Sequence, residues 1–468
     1  MTKTLRQPVR WVSVYGAAMA ASFFIIGITQ LLIEQTEVLA AIEKYFELEN
    51  DHLRAISLAP AFVVYFFLVR EILYRRGVPA AAVRTVVSYF LFFSAIFLVI
   101  IPGSGSDFYH YIFEDRAVAV YQQNPFLVPP NQLPGEPSSW LATWRHLPSQ
   151  HGPMRVVLML PAALIGQSSL LIHFYAANVI IFLFLLGSVV LVHRLALYLK
   201  PAIAPAAVLL FGWNPLLLYE TLQGGGTDII MIFWALLAFD LLYRRRWFWA
   251  VATIVVSVLV KYATLPLVPL VIVYALFQIR QPIKRAAFVV GAIFTSVAVT
   301  VVAFFPFWQG GSTLSGVVWN ARFFGYNSFP NMVAVLFSLA NPGLDRYLFK
   351  YLAAAAFVVI YGYLAVKIFR RRQLTFLELI QTSAAIMLLS LLLLRTWFFS
   401  KYVVWALPFI VLGGERWYLF TAFITGLFVA APLFFEIFAW QFLPPAIVSF
   451  LVLSIDKYLL QKNNAAGR

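Results

Sequence analysis

The stretch VSYFLFFSAIFLVIIP occupies residues 87–102 and contains no charged side chain. A second run, NVIIFLFLLGSVVLV at residues 178–192, is equally apolar. Such runs approach the roughly 20 residues that an α-helix needs to cross a bilayer, and they lack the alternation of a membrane β-strand. Of the 468 residues, 62% are hydrophobic and only 11% are charged. A soluble chain carries about twice that charged share, so the sequence predicts an all-α, polytopic integral membrane protein.

Hydrophobic segments predict about 12 to 14 transmembrane helices of the length that a bilayer requires. We place them at residues 11–33, 54–74, 83–102, 168–193, 202–221, 227–243, 247–264, 265–279, 286–307, 345–369, 374–394, 402–413, 416–437 and 441–460. The first resembles a signal peptide, but it is long and no small-residue cleavage site follows it, so we expect a retained span. Residues 154–166 are expected to form a half-helix that enters the membrane without crossing it.

The formal net charge of +15 reflects membrane topology. If the N-terminus is cytoplasmic, the loops that contain Arg75, Arg194, Arg244, Lys284 and Arg370 all fall on the cytoplasmic side. Cytoplasmic loops of membrane proteins are rich in Lys and Arg, so the basic excess predicts no nucleic-acid partner. The chain has no cysteine, which excludes disulfides and cysteine–metal sites.

The same orientation places three segments that mix glycine, aromatic and charged residues on the non-cytoplasmic face. They are residues 103–153, 219–227 and 308–344. No separate soluble domain interrupts the chain. We therefore expect one integral membrane domain over residues 1–468, in the cell membrane, with these three loops forming an active-site cleft that faces outside the cytoplasm.

Asp107 is the principal catalytic candidate. It lies in SDFYHYIFEDRAVAVYQQNPF, residues 106–126, which begins three residues after the apolar run 87–102. An ionisable side chain where a span ends is costly to desolvate and is often functional. The structural alternative is a helix cap formed by Ser104, Ser106 or Asp107. The long loop that follows favours function, because long ordered loops are usually functional and its aromatic residues oppose disorder.

Asp228 is the second acidic candidate. The segment YETLQGGGTDII, residues 219–230, places Glu220 and Asp228 at one helix junction, where Gly224 to Gly226 allow a bend. Capping of the following helix explains Asp228 equally well. Glu220 is expected to be solvated or paired.

Several cations adjoin these segments. Lys261 interrupts the apolar VSVLVKYATLPL at residues 256–267, and a lysine within a span must pair, reach the interface or bind a ligand. Contact with lipid headgroups explains any one of these basic side chains taken alone. Together, they could surround a phosphate group. The donor-binding candidates are His110, Arg116, Arg145, His151, Lys261, Arg322, Arg395 and Lys401.

Common nucleotide and hydrolase signatures do not occur in the sequence. It contains no Walker A motif, no dinucleotide-binding glycine motif, no HExxH and no GxSxG. We therefore expect neither an ATP-driven transporter nor a soluble-type hydrolase. The six histidines are scattered, so we expect no cofactor and no multi-histidine metal site, with a divalent cation as the open alternative.

The motifs resemble those of a known family. SDFYHY at residues 106–111, NPF at 124–126, WR at 144–145 and HGP at 151–153 are similar to the first outer loop of GT-C glycosyltransferases. They are most similar to the polyprenol-phosphate-mannose-dependent mannosyltransferases that extend bacterial cell-envelope glycolipids. NPLLLYETLQGGGTD at 214–228, VKYATLPLVPL at 260–270 and FFSKYVVWALPF at 398–409 resemble later blocks of that family. Asp115 and the pair Gly226–Thr227 depart from its pattern.

The resemblance implies a GT-C-like fold and an inverting transferase. It would move a hexose, mannose in that family, from a polyprenyl-phosphate donor to a cell-envelope glycan or glycolipid. Asp107 would be the base that accepts the proton of the acceptor hydroxyl. Because the leaving group is a phosphate, cations rather than a second carboxylic acid would stabilise it. The alternative function is a transporter or flippase of a lipid-linked sugar, which would need the cations but no base.

Overall fold

The computed structural model describes residues 7–34, 50–100, 106–325, 328–341, 343–371, 373–395, 400–414, 417–418 and 421. These residues form helices and connecting turns without a β-strand. The predicted spans at residues 416–437 and 441–460 lie outside them, apart from 417–418 and 421. The all-α prediction is therefore confirmed over the described residues.

The α-helices of this part of the chain number 18. In chain order they are α1 Gln7–Glu34, α2 Asn50–Tyr74, α3 Val83–Val99, α4 Ser106–Ala119, α5 Ser138–Leu141, α6 Pro153–Ile165, α7 Leu170–Leu199, α8 Ala204–Gly212, α9 Pro215–Leu218, α10 Asp228–Tyr243, α11 Trp247–Val260, α12 Val268–Gln278, α13 Pro282–Phe304, α14 Ser315–Arg322, α15 Phe329–Ser338, α16 Tyr347–Arg371, α17 Phe376–Leu393 and α18 Leu407–Leu412. Short 3₁₀ segments and one π-helix, Tyr219–Gln223, connect some of them.

Seven of these helices are long and apolar enough to cross a membrane: α1, α2, α3, α7, α13, α16 and α17. The segments Pro201–Gly212 and Pro215–Gln223 meet at a bend of 50° and form an eighth if they are one broken span. This confirms a polytopic membrane protein. The predicted spans at 227–243, 247–264 and 265–279 correspond to shorter helices, and α6 has 13 residues, too few to cross about 30 Å of hydrocarbon.

The bend between α8 and α9 follows from residues 213–215. Trp213 is buried and donates its indole N–H to the carbonyl of Val86, 2.9 Å away. Asn214 accepts the N–H of Leu217 and so caps α9, while Pro215 lacks the N–H that would continue the preceding helix. The broken helix then runs through the π-helix into the turn before Asp228, and π-helical turns are frequent at functional sites.

Two glycines allow the close approaches that assemble the functional region. Gly225 has a φ of +61°, and a Cβ there would lie 2.1 Å from the ring of Phe108, so the turn before α10 packs directly on the start of α4. A Cβ on Gly152 would lie 1.8 Å from the carbonyl oxygen of Leu259. Neither site admits a side chain, and together they bring the starts of α4, α6 and α10 close to the end of α11.

A buried ionic cluster ties α4 to α6. The guanidinium of Arg155 pairs with Glu114, and its Nη1 lies 3.0 Å from Oδ1 of Asp115. The Nε2 atom of His110 lies 3.2 Å from Oε1 of Glu114. All four side chains are buried. Since an unpaired buried charge is strongly destabilising, this cluster holds α4 at one rotation and sets which of its residues face the interior of the protein.

Candidate active site

A cavity of about 370 Å³ lies where the start of α4, the end of α11, Leu393 to Arg395 and Tyr402 meet. Its acidic and basic lining residues are Asp107, Lys261, Lys350 and Arg395, accompanied by His110 and His151. Two of the three predicted loop segments contribute to its wall: segment 103–153 through residues between Asp107 and His151, and segment 308–344 through residues between Val317 and Phe323 and through Pro330. Among the described residues, segment 219–227 lines none of it, although Asp228 follows that segment and pairs with Lys261 of the wall.

Asp107 lies in the first turn of α4 and its side chain is 29% exposed, so the carboxylate is open to the cavity. Its Oδ2 accepts a hydrogen bond from Nζ of Lys401. Burial alone would raise the pKa of Asp107, but the ammonium of Lys401, assisted by Lys261, holds this pKa well below its usual range. The group is therefore a carboxylate at neutral pH, which is the form that can accept a proton.

A second ion pair lies beside the first. Nζ of Lys261 is 2.5 Å from Oδ1 of Asp228, and both side chains are about nine-tenths buried. Lys261 follows α11, and the packing of Gly152 on Leu259 sets its place next to His151. Thus both candidate acids each have one lysine partner, and both pairs adjoin the same cavity.

Aromatic rings hold the cations on this side of the cavity. The guanidinium of Arg395 lies 4.5 Å from the ring centroid of Trp405, and Lys261 Nζ lies 5.1 Å from the same centroid and 5.2 Å from that of Tyr402. Such cation–π contacts are attractive but leave the N–H groups free to donate. In the part of the chain that the structure describes, Arg395 has no carboxylate partner, so it has the most donor capacity left for an anionic ligand.

Three residues of neutral or polar character complete this wall. The hydroxyl of Tyr111 lies 3.4 Å from Nε2 of His151, and their rings meet edge to face at 4.9 Å. Burial lowers the pKa of His151 to about 3, so its imidazole is neutral and adds no charge beside the lysines. His110 links the cavity to the buried cluster through Glu114.

Three of the predicted phosphate ligands lie elsewhere. Arg116 is buried and binds Glu136 at 2.8 Å and the carbonyl of Gly166 at 3.0 Å. Arg145 stacks on Trp140, with its guanidinium 4.0 Å from the ring centroid. Arg322 is exposed at the end of α14 and does not line the cavity. Arg116 and Arg145 thus serve packing and Arg322 is solvated. Lys261, Arg395 and Lys401 remain as the basic candidates near Asp107.

The sequence reasoning missed Lys350, which lines the cavity from α16. Its Nζ donates to the carbonyls of Ala321, Arg322 and Phe323, at 2.6, 3.1 and 3.3 Å, and so caps the end of α14. The signal was available, because Lys350 opens the apolar run KYLAAAAFVVI just as Lys261 interrupts another. Tyr402 and Trp405 were also missed, since aromatic residues are too common in this chain to single any out.

The described residues contain no group of three or more His, Asp or Glu side chains placed to hold a metal ion. The acidic side chains at the cavity are instead engaged with lysines, as in the pairs Asp107–Lys401 and Asp228–Lys261. The arrangement can bind an anion next to a carboxylate that accepts protons.

Comparison with known proteins gives one family. The model of the MptA_B family, described as alpha-(1->6)-mannopyranosyltransferase, N-terminal domain, matches residues 11–277. The match covers more than half of the chain and includes Asp107, Asp228 and Lys261, whereas Arg395 and Lys401 follow it. No curated protein and no solved structure matches the chain.

Proposed function

The chain belongs to the alpha-(1->6)-mannopyranosyltransferase family, and from this premise we propose that it uses a polyprenyl-phosphate sugar as its donor. Family membership makes it a mannosyltransferase, and its long apolar helices make it an integral membrane protein. In the proposed reaction, mannose passes from the lipid phosphate to a glycan or glycolipid of the cell envelope. The reaction inverts the anomeric carbon and takes place on the non-cytoplasmic side of the plasma membrane.

The observation that carries the proposal is the partly exposed Asp107 carboxylate on a cavity wall that cations share. The acceptor hydroxyl oxygen attacks the anomeric carbon of the donor while the bond from that carbon to the phosphate oxygen breaks. Asp107 takes the hydroxyl proton, and a well-placed base of this kind contributes about 10²–10⁴ in rate. No second carboxylic acid is needed, because the departing phosphate is already a stable anion.

Arg395 and Lys261 are the groups that would hold the departing phosphate. Arg395 offers its N–H groups from the face of Trp405, and Lys261 lies over the same ring. As negative charge develops on the bridging oxygen, fixed cations in a partly desolvated cavity stabilise it with little reorganisation. Lys401 is near enough to share this task, since it already contacts Asp107.

The family description and the inverting mechanism together define the donor anomer. An α-(1→6) product formed with inversion requires a β-linked mannosyl phosphate. A polyprenyl chain suits the apolar residues of the same cavity, among them Leu393, Leu394, Ala354 and Pro330, which helices α15 to α17 contribute or adjoin.

The test uses purified protein in lipid vesicles with polyprenyl phosphate β-mannose, labelled in the sugar, and an octyl α-(1→6)-dimannoside acceptor. We expect label to join the dimannoside, and we expect the α-linked donor to be inert. Labelled donor that crosses the vesicle membrane but is never joined to the acceptor would instead establish a transporter. Transfer from a nucleotide sugar alone would contradict the lipid-phosphate donor.

A further inference from the structure

A second part of the cavity wall is aromatic and polar rather than cationic. The ring centroids of Trp144 and Trp319 lie 6.0 Å apart, and Trp319 stacks on Phe323 at 5.1 Å with 24° between the planes. All three rings line the cavity and are partly exposed. A tryptophan ring with an accessible face offers a flat apolar surface of large area.

Two amides lie beside these rings. Asn320 donates from Nδ2 to Oε1 of Gln150, 3.1 Å away, and both residues line the cavity. An amide side chain has two N–H donors and one carbonyl acceptor, so the Gln150 amino group and the Asn320 carbonyl remain available. In the described part of the chain, no other side-chain hydrogen bond engages either group. We call Trp144, Gln150, Trp319, Asn320 and Phe323 the aromatic–amide wall.

The aromatic–amide wall is held in place by its own packing. A Cβ on Gly316 would lie 2.2 Å from the carbonyl oxygen of Ser149, so α14 rests directly on the loop before α6. At the other end of α14, Lys350 caps its last carbonyls. The surface is therefore built before a ligand arrives, which reduces the ordering cost of binding.

The combination of flat rings and adjacent amides matches a saccharide. The C–H face of a pyranose is apolar and can cover an aromatic ring, while its hydroxyls can both accept from and donate to amides. A lipid chain would satisfy the rings but leave the amides without partners, and leaving buried polar groups unpaired is costly. The apolar residues that suit a lipid come from a different part of the wall, on α15 to α17.

We propose that the aromatic–amide wall is the binding site of the acceptor saccharide, with its sugar rings packed against Trp319 and Trp144. The role of the bound sugar as the acceptor rests on the proposed function. Binding of a mannoside at this surface follows from the rings and amides themselves. The site places the sugar in the cavity that Asp107 lines, so its hydroxyl has access to the base.

The test measures sugar binding without turnover. In full-length protein that carries Asp107→Asn, binding of octyl α-(1→6)-dimannoside is followed by calorimetry, together with binding of polyprenyl phosphate. Adding Trp319→Ala should weaken dimannoside binding about tenfold, the effect expected for loss of one large apolar contact. Polyprenyl phosphate binding should not change. The dimannoside affinity of Trp319→Phe, which keeps an aromatic ring, should lie between that of the Asp107→Asn protein and that of the protein with Trp319→Ala added. This variant keeps the test valid if the alanine variant folds poorly.

Trp308→Ala is the matched control, because Trp308 is 54% exposed and does not line the cavity. Dimannoside affinity that Trp319→Ala leaves unchanged, or changes no more than Trp308→Ala does, would overturn the proposal. A Trp319 variant that loses polyprenyl phosphate instead would assign the wall to the lipid. If wild-type protein transfers no mannose but dimannoside binding depends on Trp319, the proposed function is wrong and the saccharide site is supported. If wild-type protein transfers mannose but dimannoside binding does not depend on Trp319, the saccharide site is wrong and the proposed function is supported.

Discussion

Lys401 donates a hydrogen bond to the carboxylate of Asp107 although 294 positions separate the two residues in the chain. The pair joins the start of α4 to the 3₁₀ segment Ser400–Trp405, which precedes α18. The lysine keeps the carboxylate ionised by contacting Oδ2, and a carboxylate has a second oxygen, Oδ1, at which it can take the acceptor proton.

Replacing Asp107 by Asn should slow transfer by orders of magnitude while the protein still folds. Asparagine has nearly the same size and caps a helix equally well, but it cannot accept a proton at neutral pH. We expect the rate to fall about 10²–10⁴-fold with little change in donor affinity. Radiolabelled transfer and donor binding are measured on the same preparation.

Asp345→Asn is the control for that experiment, since Asp345 is exposed and accepts the N–H of Tyr347 at 2.9 Å just before α16. It should leave the rate unchanged. Normal transfer in Asp107→Asn would refute the base assignment, and Asp228→Asn would then be the variant to measure.

Replacing Lys401 by Met should shift the acid limb of the kcat/KM profile, which reports the free enzyme, to higher pH. Lys401 holds the pKa of Asp107 well below its usual range, against the opposing effect of burial. Without the ammonium this pKa rises, so the carboxylate is protonated, and inactive as a base, at a higher pH than in wild type. Lys401→Arg keeps the charge and should keep the acid limb near its original position. An acid limb that does not move in Lys401→Met would contradict the coupling.

Substitution of the cations at the cavity should weaken donor binding, whereas substitution of a cation outside the cavity should not. Arg395→Ala and Lys261→Met should each weaken donor binding about tenfold or more, because charge-assisted hydrogen bonds contribute roughly 1.5–3 kcal/mol. Arg322→Ala removes an exposed charge that does not line the cavity and should bind donor as wild type does. Equal effects in all three variants would indicate long-range attraction rather than direct contact.

Membrane orientation can be tested with single cysteines, since the chain has none. Gln132 lies between α4 and α5, and Ala81 lies between α2 and α3; both are exposed. The distribution of basic loops predicts that a cysteine replacing Gln132 reacts with an impermeant maleimide added to intact cells. A cysteine replacing Ala81 should react only after lysis. The reverse pattern would place the cavity on the cytoplasmic side.

The buried cluster at α4 and α6 should be essential for stability. Arg155→Leu leaves Glu114 and Asp115 without their cation, and loss of one partner of a buried ion pair costs about 3–5 kcal/mol. Burial, opposed by Arg155, raises the pKa of Asp115 to about 7. In the variant this pKa rises further, so ionisation of the carboxyls opposes folding increasingly as pH rises.

The thermal midpoint of Arg155→Leu in detergent should therefore fall further below wild type at pH 8 than at pH 5. Arg75→Leu provides the comparison, because Arg75 pairs with Glu71 on the surface, where ion pairs contribute about 0–1 kcal/mol. A pH-independent loss in Arg155→Leu would indicate a packing defect instead of unpaired carboxylates.

The sequence could predict the fold class because that property depends on local hydrophobicity. Residues 87–102 are apolar in any context, and a membrane requires their backbone to be helical. The same local rule identified Asp107 and Lys261, since an ionisable residue beside or within an apolar run is conspicuous. The same rule predicted transmembrane helices at 227–243 and 247–264, where the structure has shorter helices. Hydropathy indicates that a segment is buried in an apolar environment, but it cannot distinguish a spanning helix from a shorter one.

The sequence alone established an all-helical membrane protein with Asp107 and Asp228 at segment ends, because these features follow from the order of apolar and polar residues. Only the tertiary structure decided which cations meet those acids. Arg116, nine residues from Asp107, binds Glu136 instead, while Lys401 comes from the far end of the chain. A charged side chain pairs with whatever partner packing brings within hydrogen-bond reach, and that packing depends on close approaches such as Gly225 on Phe108, which no local pattern encodes.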